Sequence, residues 1–178
     1  DKFKEEDYSK GEALVQRAEV KLFELENQNK RNFFSYSKFT KIFSKRIYEG
    51  NSEKDIKKET KEIKGLIKRE KWDKLSDDKE KIIKIEHYIK ANLKRGPTGY
   101  DYIHEAVKRK VYSKQNAMRI YAKIFDFLGI DHEVVITCSR FEKQFDEDFE
   151  TYSFLDASLF YFPKYNQYMD PSNDFMRF

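Results

Sequence analysis

The sequence predicts an α+β domain, and three patterns lead to this prediction. Residues 113–128 have apolar side chains at three- and four-residue spacing around most of the helix circumference, which indicates a buried central helix. The β-branched run at 133–138 follows at once and is typical of a strand buried on both faces. Amphipathic charged helices precede this pair, and aromatic strands follow it. We therefore expect the N-terminal helices to pack on one side of an antiparallel sheet that forms after Ile130.

The central helix has a suitable capping residue at each end. The Ser113 hydroxyl can accept a hydrogen bond from an unpaired backbone N–H at the helix start. Gly129 tolerates the left-handed conformation that often ends a helix. The apolar stripe between them consists of Ala117, Ile120, Tyr121, Ile124, Phe127 and Leu128, with Met118 and Phe125 beside it.

The N-terminal part of the chain divides into a short first segment and a main domain. Residues 1–32 are expected to be the end of a preceding β-domain or a linker, and residues 33–178 to form the main domain. Within the first segment, the alternation at 18–22 favours an edge strand, while a helix over 12–26 is the competing interpretation. The polar stretch 27–32 predicts a break.

Four helices are predicted before the central one. They cover 33–48, 52–71, a stretch from Asp77 to Leu93, and 100–111. Ser35 or Ser37 can cap the first helix, and Ser52 opens the second with a variant capping box. Trp72 and Leu75 are expected to seal the junction between the second and third helices. The glycine- and proline-containing stretch 96–99 separates the third from the fourth.

The region after the predicted strand is rich in aromatic residues. Residues 139–150 form an acidic stretch punctuated by Phe, which predicts either a surface loop pinned by those side chains or a partner-facing loop. A long strand is predicted over 151–162, with Phe160 and Phe162 on one face and Leu159 and Tyr161 on the other. Pro163 ends it, and a return strand is expected to run to the Asp-Pro sequence at 170–171.

Composition favours a folded domain over a disordered chain. Charged residues make up 38% of the 178 residues, yet aromatic residues reach 16%, with 16 Phe and 12 Tyr. No run is long and apolar enough to cross a bilayer, and no signal peptide is visible. The first residue is Asp1 and the chain stops at Phe178 without a clear domain end, so we expect flanking domains in the same chain.

This order of elements resembles the core of the bacterial transglutaminase-like domains, which are relatives of the papain-type thiol enzymes. The matching features are the helix start at Ser113, the apolar helix, Leu-Gly-Ile at 128–130, the strand after it, and Tyr-Met-Asp-Pro-Ser at 168–172. The resemblance covers residues 77–172. It implies a transglutaminase-like domain over the main part of the chain.

The resemblance also implies where a catalytic triad would lie. In that family a nucleophilic Cys opens the central helix, a His lies on a following strand, and an Asp begins an Asp-Pro-Thr/Ser turn. These positions fall on Ser113 or the adjacent Lys114, on Phe154, and on Asp170. A helix-start thiol is acidified by the helix dipole and an imidazolium, whereas a serine hydroxyl needs a positioned base that Phe154 cannot supply. We therefore expect a degenerate triad, with Ser113 acting as an N-cap and Asp170 as a turn residue.

The role implied by the resemblance is a catalytically inactive module of a larger bacterial cell-envelope protein, with a binding or scaffold function. A groove is expected between Ser113 and Phe154, with Asp170 at its back. Gln115 and Tyr152 are the polar residues expected to line it. The partner would be an unidentified protein or peptide, and the location would be periplasmic or envelope-associated.

An enzyme remains the alternative, in which Ser113 serves as nucleophile for residual acyl transfer or hydrolysis and His104 serves as base. No cofactor or metal is expected, because His87, His104 and His132 have no companions at ligand spacing. Cys138 lies within the predicted strand, which favours a small buried hydrophobe.

The basic residues suggest a third hypothesis. Residues 41–95 contain eighteen Lys or Arg against eleven Asp or Glu. Because Lys and Glu interleave at helical spacing, as around Glu59 and Glu62, this pattern is typical of a solvated helix surface. No recognition motif is present, so specific nucleic-acid binding is not expected. A binder of anionic surfaces would show steep salt dependence.

Overall fold

The computed structural model describes residues 24–27, 30–33, 35–49, 52–96, 102–138, 150–151, 155 and 157–178. The helices in these ranges are α1 (Tyr36–Tyr48), α2 (Glu53–Arg69), α3 (Asp78–Asn92), α4 (Ile103–Arg109) and α5 (Lys114–Leu128). The strands are β1 (Glu24–Asn27), β2 (Lys30–Phe33), β3 (Lys94–Arg95), β4 (Val111–Tyr112), β5 (Glu133–Thr137), β6 (Ala157–Phe162) and β7 (Gln167–Met169). This mixture of helices and strands in small sheets confirms the predicted α+β class.

The chain divides into two compact units. The first unit comprises residues 1–43 and 135–158, and the second comprises 44–134 and 159–178. The predicted boundary at residue 32 remains a prediction.

In the first unit, β1 and β2 form an antiparallel pair, with Glu24 opposite Phe33 and Asn27 opposite Lys30. The expected break at 27–32 is therefore wrong at residue 27 and over 30–32, where cross-strand pairing gives the polar residues an extended conformation. The competing helix over 12–26 does not extend through 24–26, and 18–22 lies outside the described residues.

The start of α1 is capped from two directions within the first unit. The Ser35 Oγ accepts a hydrogen bond from the Lys38 N–H at 3.2 Å, as predicted. The Glu150 Oε1 accepts another from the Tyr36 N–H at 3.1 Å. Because the first turn of a helix leaves N–H groups unpaired, the carboxylate supplies an acceptor and a favourable charge at the positive end of the helix dipole.

The second unit is built around α5, which confirms the predicted buried central helix. Ser113 is its N-cap, and Gly129 ends it with a φ of 66°. Six residues of this helix are completely buried, namely Ala117, Ile120, Tyr121, Ala122, Ile124 and Phe125. Phe127 departs from the predicted stripe, since 40% of it is exposed.

The helices before α5 are separated by local capping residues. The Ser52 Oγ accepts a hydrogen bond from the Asp55 N–H, and the Asp77 carboxylate accepts one from the Glu80 N–H. Between α2 and α3, Trp72 is buried with its ring edge against Tyr88 at a centroid distance of 5.5 Å. The predicted seal at this junction is confirmed for Trp72. Helix α2 packs against α4 and α5.

A short parallel pair, β3 with β4, was not predicted. Lys94 lies opposite Val111 and Arg95 opposite Tyr112. The predicted fourth helix over 100–111 instead ends at Arg109, because Lys110 adopts a left-handed φ of 57°. The β-branched Val111 and the aromatic Tyr112 then favour the extended conformation that leads into Ser113.

The third sheet has the strand order β5–β6–β7. Strands β6 and β7 are antiparallel, with Phe160 opposite Met169. Phe160 and Phe162 are buried and alternate with the less buried Tyr161, as predicted. The predicted strand over 151–162 is too long, since β6 begins only at Ala157.

Strand β5 is not buried on both faces. Its residues are half-buried or exposed. The strand lies at one edge of the described sheet, and an edge strand keeps one side without a neighbouring strand. This corrects the prediction from the β-branched run.

Helix α5 packs against the sheet through aromatic rings. The Phe125 ring meets Phe160 and Phe162 edge-on, each at a centroid distance of 5.3 Å. Edge-to-face geometry is favourable because the positive ring edge meets the negative face of the neighbouring ring. The core of the second unit is thus an aromatic cluster between α5 and β6.

Candidate functional site

Ser113 is held as a helix cap. Its Oγ accepts a hydrogen bond from the Asn116 N–H at 3.2 Å, and its carbonyl accepts one from the Ala117 N–H at 2.9 Å. In the part of the chain that the structure describes, no imidazole or carboxylate is hydrogen-bonded to Ser113. The predicted N-cap role is therefore confirmed.

Asp170 directs its carboxylate into its own turn. Its Oδ1 accepts hydrogen bonds from the backbone N–H and the hydroxyl of Ser172, both at 2.7 Å. This geometry is typical of an Asp side chain that closes a turn two residues ahead. The predicted turn role of Asp170 is confirmed.

The structure describes fewer contacts for the remaining predicted site residues. Lys114 and Gln115 occupy the first turn of α5. Phe154 and Tyr152 lie outside the residues that the structure describes. The groove expected between Ser113 and Phe154 accordingly stays a prediction.

His104, the base of the alternative enzyme hypothesis, lies in the first turn of α4. Its ring is 5.5 Å from that of Tyr102, and its Nδ1 is buried without a hydrogen-bond partner within the described ranges. No hydrogen bond links His104 to Ser113 among the described side chains. The structure does not bring these two residues together as a nucleophile and base.

His132 has a defined role that sequence reasoning missed. Its Nδ1 lies 2.8 Å from the Ile130 carbonyl oxygen, and its Nε2 lies 3.1 Å from the Tyr48 hydroxyl. Because a carbonyl oxygen can only accept, Nδ1 donates to it, and in the tautomer that carries its proton on Nδ1 the Nε2 atom accepts from the Tyr48 hydroxyl. Burial, and secondarily the charge of Asp126, raises the pKa of the Tyr48 phenol, so this proton stays on the tyrosine.

A buried charged cluster surrounds Glu59, which is 0% exposed. Its carboxylate accepts hydrogen bonds from the Arg119 Nη2 at 3.2 and 3.3 Å, and lies 3.4 Å from the Lys123 Nζ. The Ile103 N–H donates to the same carboxylate at 3.4 Å. Arg119 and Lys123 lie one turn apart on α5, and their interruption of an otherwise apolar helix was the sequence signal for a buried charge partner.

A second buried ion pair joins Glu86 to Lys90 at 2.7 Å, with side chains only 2% and 1% exposed. The Lys90 Nζ also donates to the Met176 carbonyl oxygen at 2.7 Å, and the Phe178 N–H donates to the Glu86 Oε2 at 2.9 Å. Burial, and then the charge of Glu86, raises the pKa of Tyr121 well above its ordinary value. This pair ties the segment 173–178 to α3.

In the described ranges, no group of three or more His, Cys, Asp or Glu residues could hold a metal ion. Likewise, no helix in those ranges is long and apolar enough to cross a membrane. Cys138 directly follows β5 and is half-buried, so its predicted place inside the strand is wrong by one residue.

Comparisons with family models, with curated proteins and with solved structures find no match for this chain. The transglutaminase-like resemblance thus rests on the order of elements and on the residues quoted for it, and it stays a prediction.

Proposed function

We propose that this chain is a catalytically inactive transglutaminase-like module of a larger bacterial envelope protein, with a binding or scaffold role. The observation behind the proposal is the engagement of the Ser113 Oγ by the Asn116 N–H at 3.2 Å. A hydroxyl that caps a helix and has no described base beside it gains no nucleophilic activation.

The state of Asp170 supports the same proposal. In a working triad the carboxylate orients an imidazole. Here its Oδ1 is engaged by two donors of Ser172 at 2.7 Å. The carboxylate stabilises the turn after β7, which is a structural role.

The buried charges hold the helices of the second unit in fixed positions. Glu59 links α2 to α5 and to the start of α4, and the Glu86–Lys90 pair links α3 to the segment 173–178. Buried charges of this kind require their partners in fixed positions, because leaving one unpaired is costly. A module with such fixed helices can present a surface to a protein or peptide partner, with Gln115 and Tyr152 as the proposed contact residues.

The test uses two substitutions of Ser113, one that removes the cap and one that keeps it. Ser113→Ala removes the cap and is expected to cost about 1 kcal/mol of the free energy of unfolding. Ser113→Asp keeps an acceptor at the N-cap and adds a charge that the helix dipole favours, so its stability should stay close to that of the natural chain. Neither the natural chain nor the variants should react with a fluorophosphonate probe.

A covalent adduct on the Ser113 peptide, located by mass spectrometry in the natural chain and absent from Ser113→Asp, would overturn the proposal. That result would favour the residual acyl-transfer enzyme instead.

A further inference from the structure

Helix α2 presents a row of cations on one face, which we call the α2 basic face. With 3.6 residues per turn, these residues fall within an arc of about 140°. All seven are exposed, and they are Lys54, Lys57, Lys58, Lys61, Lys64, Lys68 and Arg69. Gly65 is the only other residue in the arc, and nothing lies within 4 Å of where its Cβ would be. The face is therefore continuous and has a single sign.

The acidic residues of α2 do not neutralise this face. The sequence places Glu59 among the lysines, yet the structure buries it completely against Arg119 and Lys123. Asp55 is half-buried and accepts a hydrogen bond from the Ser52 hydroxyl at 2.6 Å. Glu53, which is exposed, and Glu62, which is half-buried, lie just outside the two borders of the arc. The acidic and basic residues of α2 thus alternate in the sequence, but they lie on different parts of the helix surface.

Most cations of the face are unpaired within the described part of the chain. Lys64 lies over the Phe127 ring at 5.1 Å, and Arg69 is 3.2 Å from the Glu70 carboxylate. No ion pair to a described residue engages the other five. Two exposed lysines outside α2 pair along their own helix, Lys45 with Glu49 at 3.6 Å and Lys84 with Glu80 at 2.8 Å.

The cations follow one another along the helix axis at a rise similar to that of phosphates along a duplex axis. The rise from Lys54 to Arg69 is about 22 Å at 1.5 Å per residue, and the six intervals between the seven cations average about 3.7 Å. Phosphates follow one another at about 3.4 Å along the axis for each strand of a DNA duplex. Membrane-surface helices also use several apolar side chains that enter the lipid boundary, whereas the arc of α2 contributes none and a single exposed ring, that of Phe127, lies under Lys64.

We propose that the α2 basic face binds the phosphate backbone of a nucleic-acid duplex without sequence selection. Lysine ammonium groups act as point charges, and the face has no Asn, Gln or aromatic side chain that could read a base edge. The inference goes beyond the proposed function and uses residues remote in sequence from Ser113, so either can fail without the other.

The experiment measures binding of a fluorescent 20-base-pair duplex of arbitrary sequence by anisotropy at several salt concentrations. If all seven cations neutralise phosphates, the slope of log K against log salt is about −6. Lys57→Gln, Lys61→Gln and Lys68→Gln together should reduce its magnitude by about three and weaken binding about tenfold or more at 0.1 M salt. Gln has a helix propensity close to that of Lys, so α2 should remain folded, as circular dichroism can verify.

The matched control changes three exposed lysines outside α2, namely Lys84, Lys94 and Lys108, to Gln. Both triple variants lower the formal net charge of +4 by three. The slope of log K against log salt for the control should differ from that of the natural chain by no more than about one.

Three results would overturn the proposal. Equal weakening by both triple variants would mean that net charge alone attracts the duplex. Absence of duplex binding at 50 mM salt, with binding to vesicles containing phosphatidylserine, would assign the face to a membrane. Competition by polyglutamate as strong as that by unlabelled duplex would assign it to an acidic protein.

Discussion

Replacing Glu59 by Gln should destabilise the second unit far more than the loss of one charge at the protein surface would. The substitution keeps the shape of the side chain but leaves the Arg119 and Lys123 cations facing a neutral amide in the interior. Removing one partner from a buried ion pair costs about 3–5 kcal/mol. The contacts to Glu59 measure 3.2–3.4 Å, longer than the usual length of a charge-assisted hydrogen bond. We therefore expect the lower end of the range, about 3 kcal/mol.

Urea unfolding followed by circular dichroism measures this effect. With an m-value of about 2 kcal/mol/M, a loss of about 3 kcal/mol lowers the midpoint by about 1.5 M. Glu62→Gln is the matched control, because it removes the same charge from a half-buried position of the same helix. It should change the free energy of unfolding by less than about 0.5 kcal/mol.

Lys123→Met tests the physical reason. This change leaves Glu59 paired with Arg119, and its cost should stay within about 1 kcal/mol. A midpoint for Glu59→Gln equal to that of Glu62→Gln would refute the reasoning, since the two cations would then find adequate solvation without the carboxylate. Equal costs for Glu59→Gln and Lys123→Met would refute it as well.

Two further changes test other polar contacts. Tyr48→Phe should cost about 1–2 kcal/mol in urea unfolding, because the buried His132 Nε2 loses its donor. Tyr161→Phe, which breaks an exposed hydrogen bond to Asn166, should cost less than about 0.5 kcal/mol, and equal costs would contradict this account. A hydrogen bond from Lys81 lowers the pKa of Asp78, an effect that burial opposes and the charge of Lys164 reinforces. The stabilisation is therefore complete above the unfolded pKa of about 4 and is lost as pH falls through the lower folded value. Asp78→Asn should flatten the pH dependence of stability below pH 4, and an unchanged acid titration would argue against the Lys81 contact.

Local features were predictable because their causes lie within a few residues. The Ser113 cap depends on Asn116, three positions away, and the Asp170 turn on Ser172, two positions away. The boundaries of α5 follow from its cap residues and its apolar spacing, which are properties of adjacent sequence. For the same reason, the N-cap and turn roles of the candidate site could be predicted.

Features that depend on distant partners could not be predicted in this way. Glu59 looked like a surface residue because the two cations that bury it lie on a helix about sixty residues later in the chain. The Tyr48–His132 hydrogen bond spans 84 positions. Periodicity gives the face on which a residue lies, but it does not identify the element that will cover that face.

The anchoring of the segment 173–178 has a consequence for sequence change over evolutionary time. Lys90 binds the carbonyl of Met176, and Glu86 binds the N–H of Phe178, so both contacts use main-chain atoms that every non-proline residue supplies. The half-exposed Met176 side chain can therefore vary freely. An insertion or deletion between 173 and 176 would shift the register and leave both charges of the Glu86–Lys90 pair facing the wrong atoms. Position 176 should therefore tolerate replacement of its side chain, whereas the segment should resist any change of length; Phe178, whose ring packs edge-on against Phe162 at 4.9 Å, should resist both.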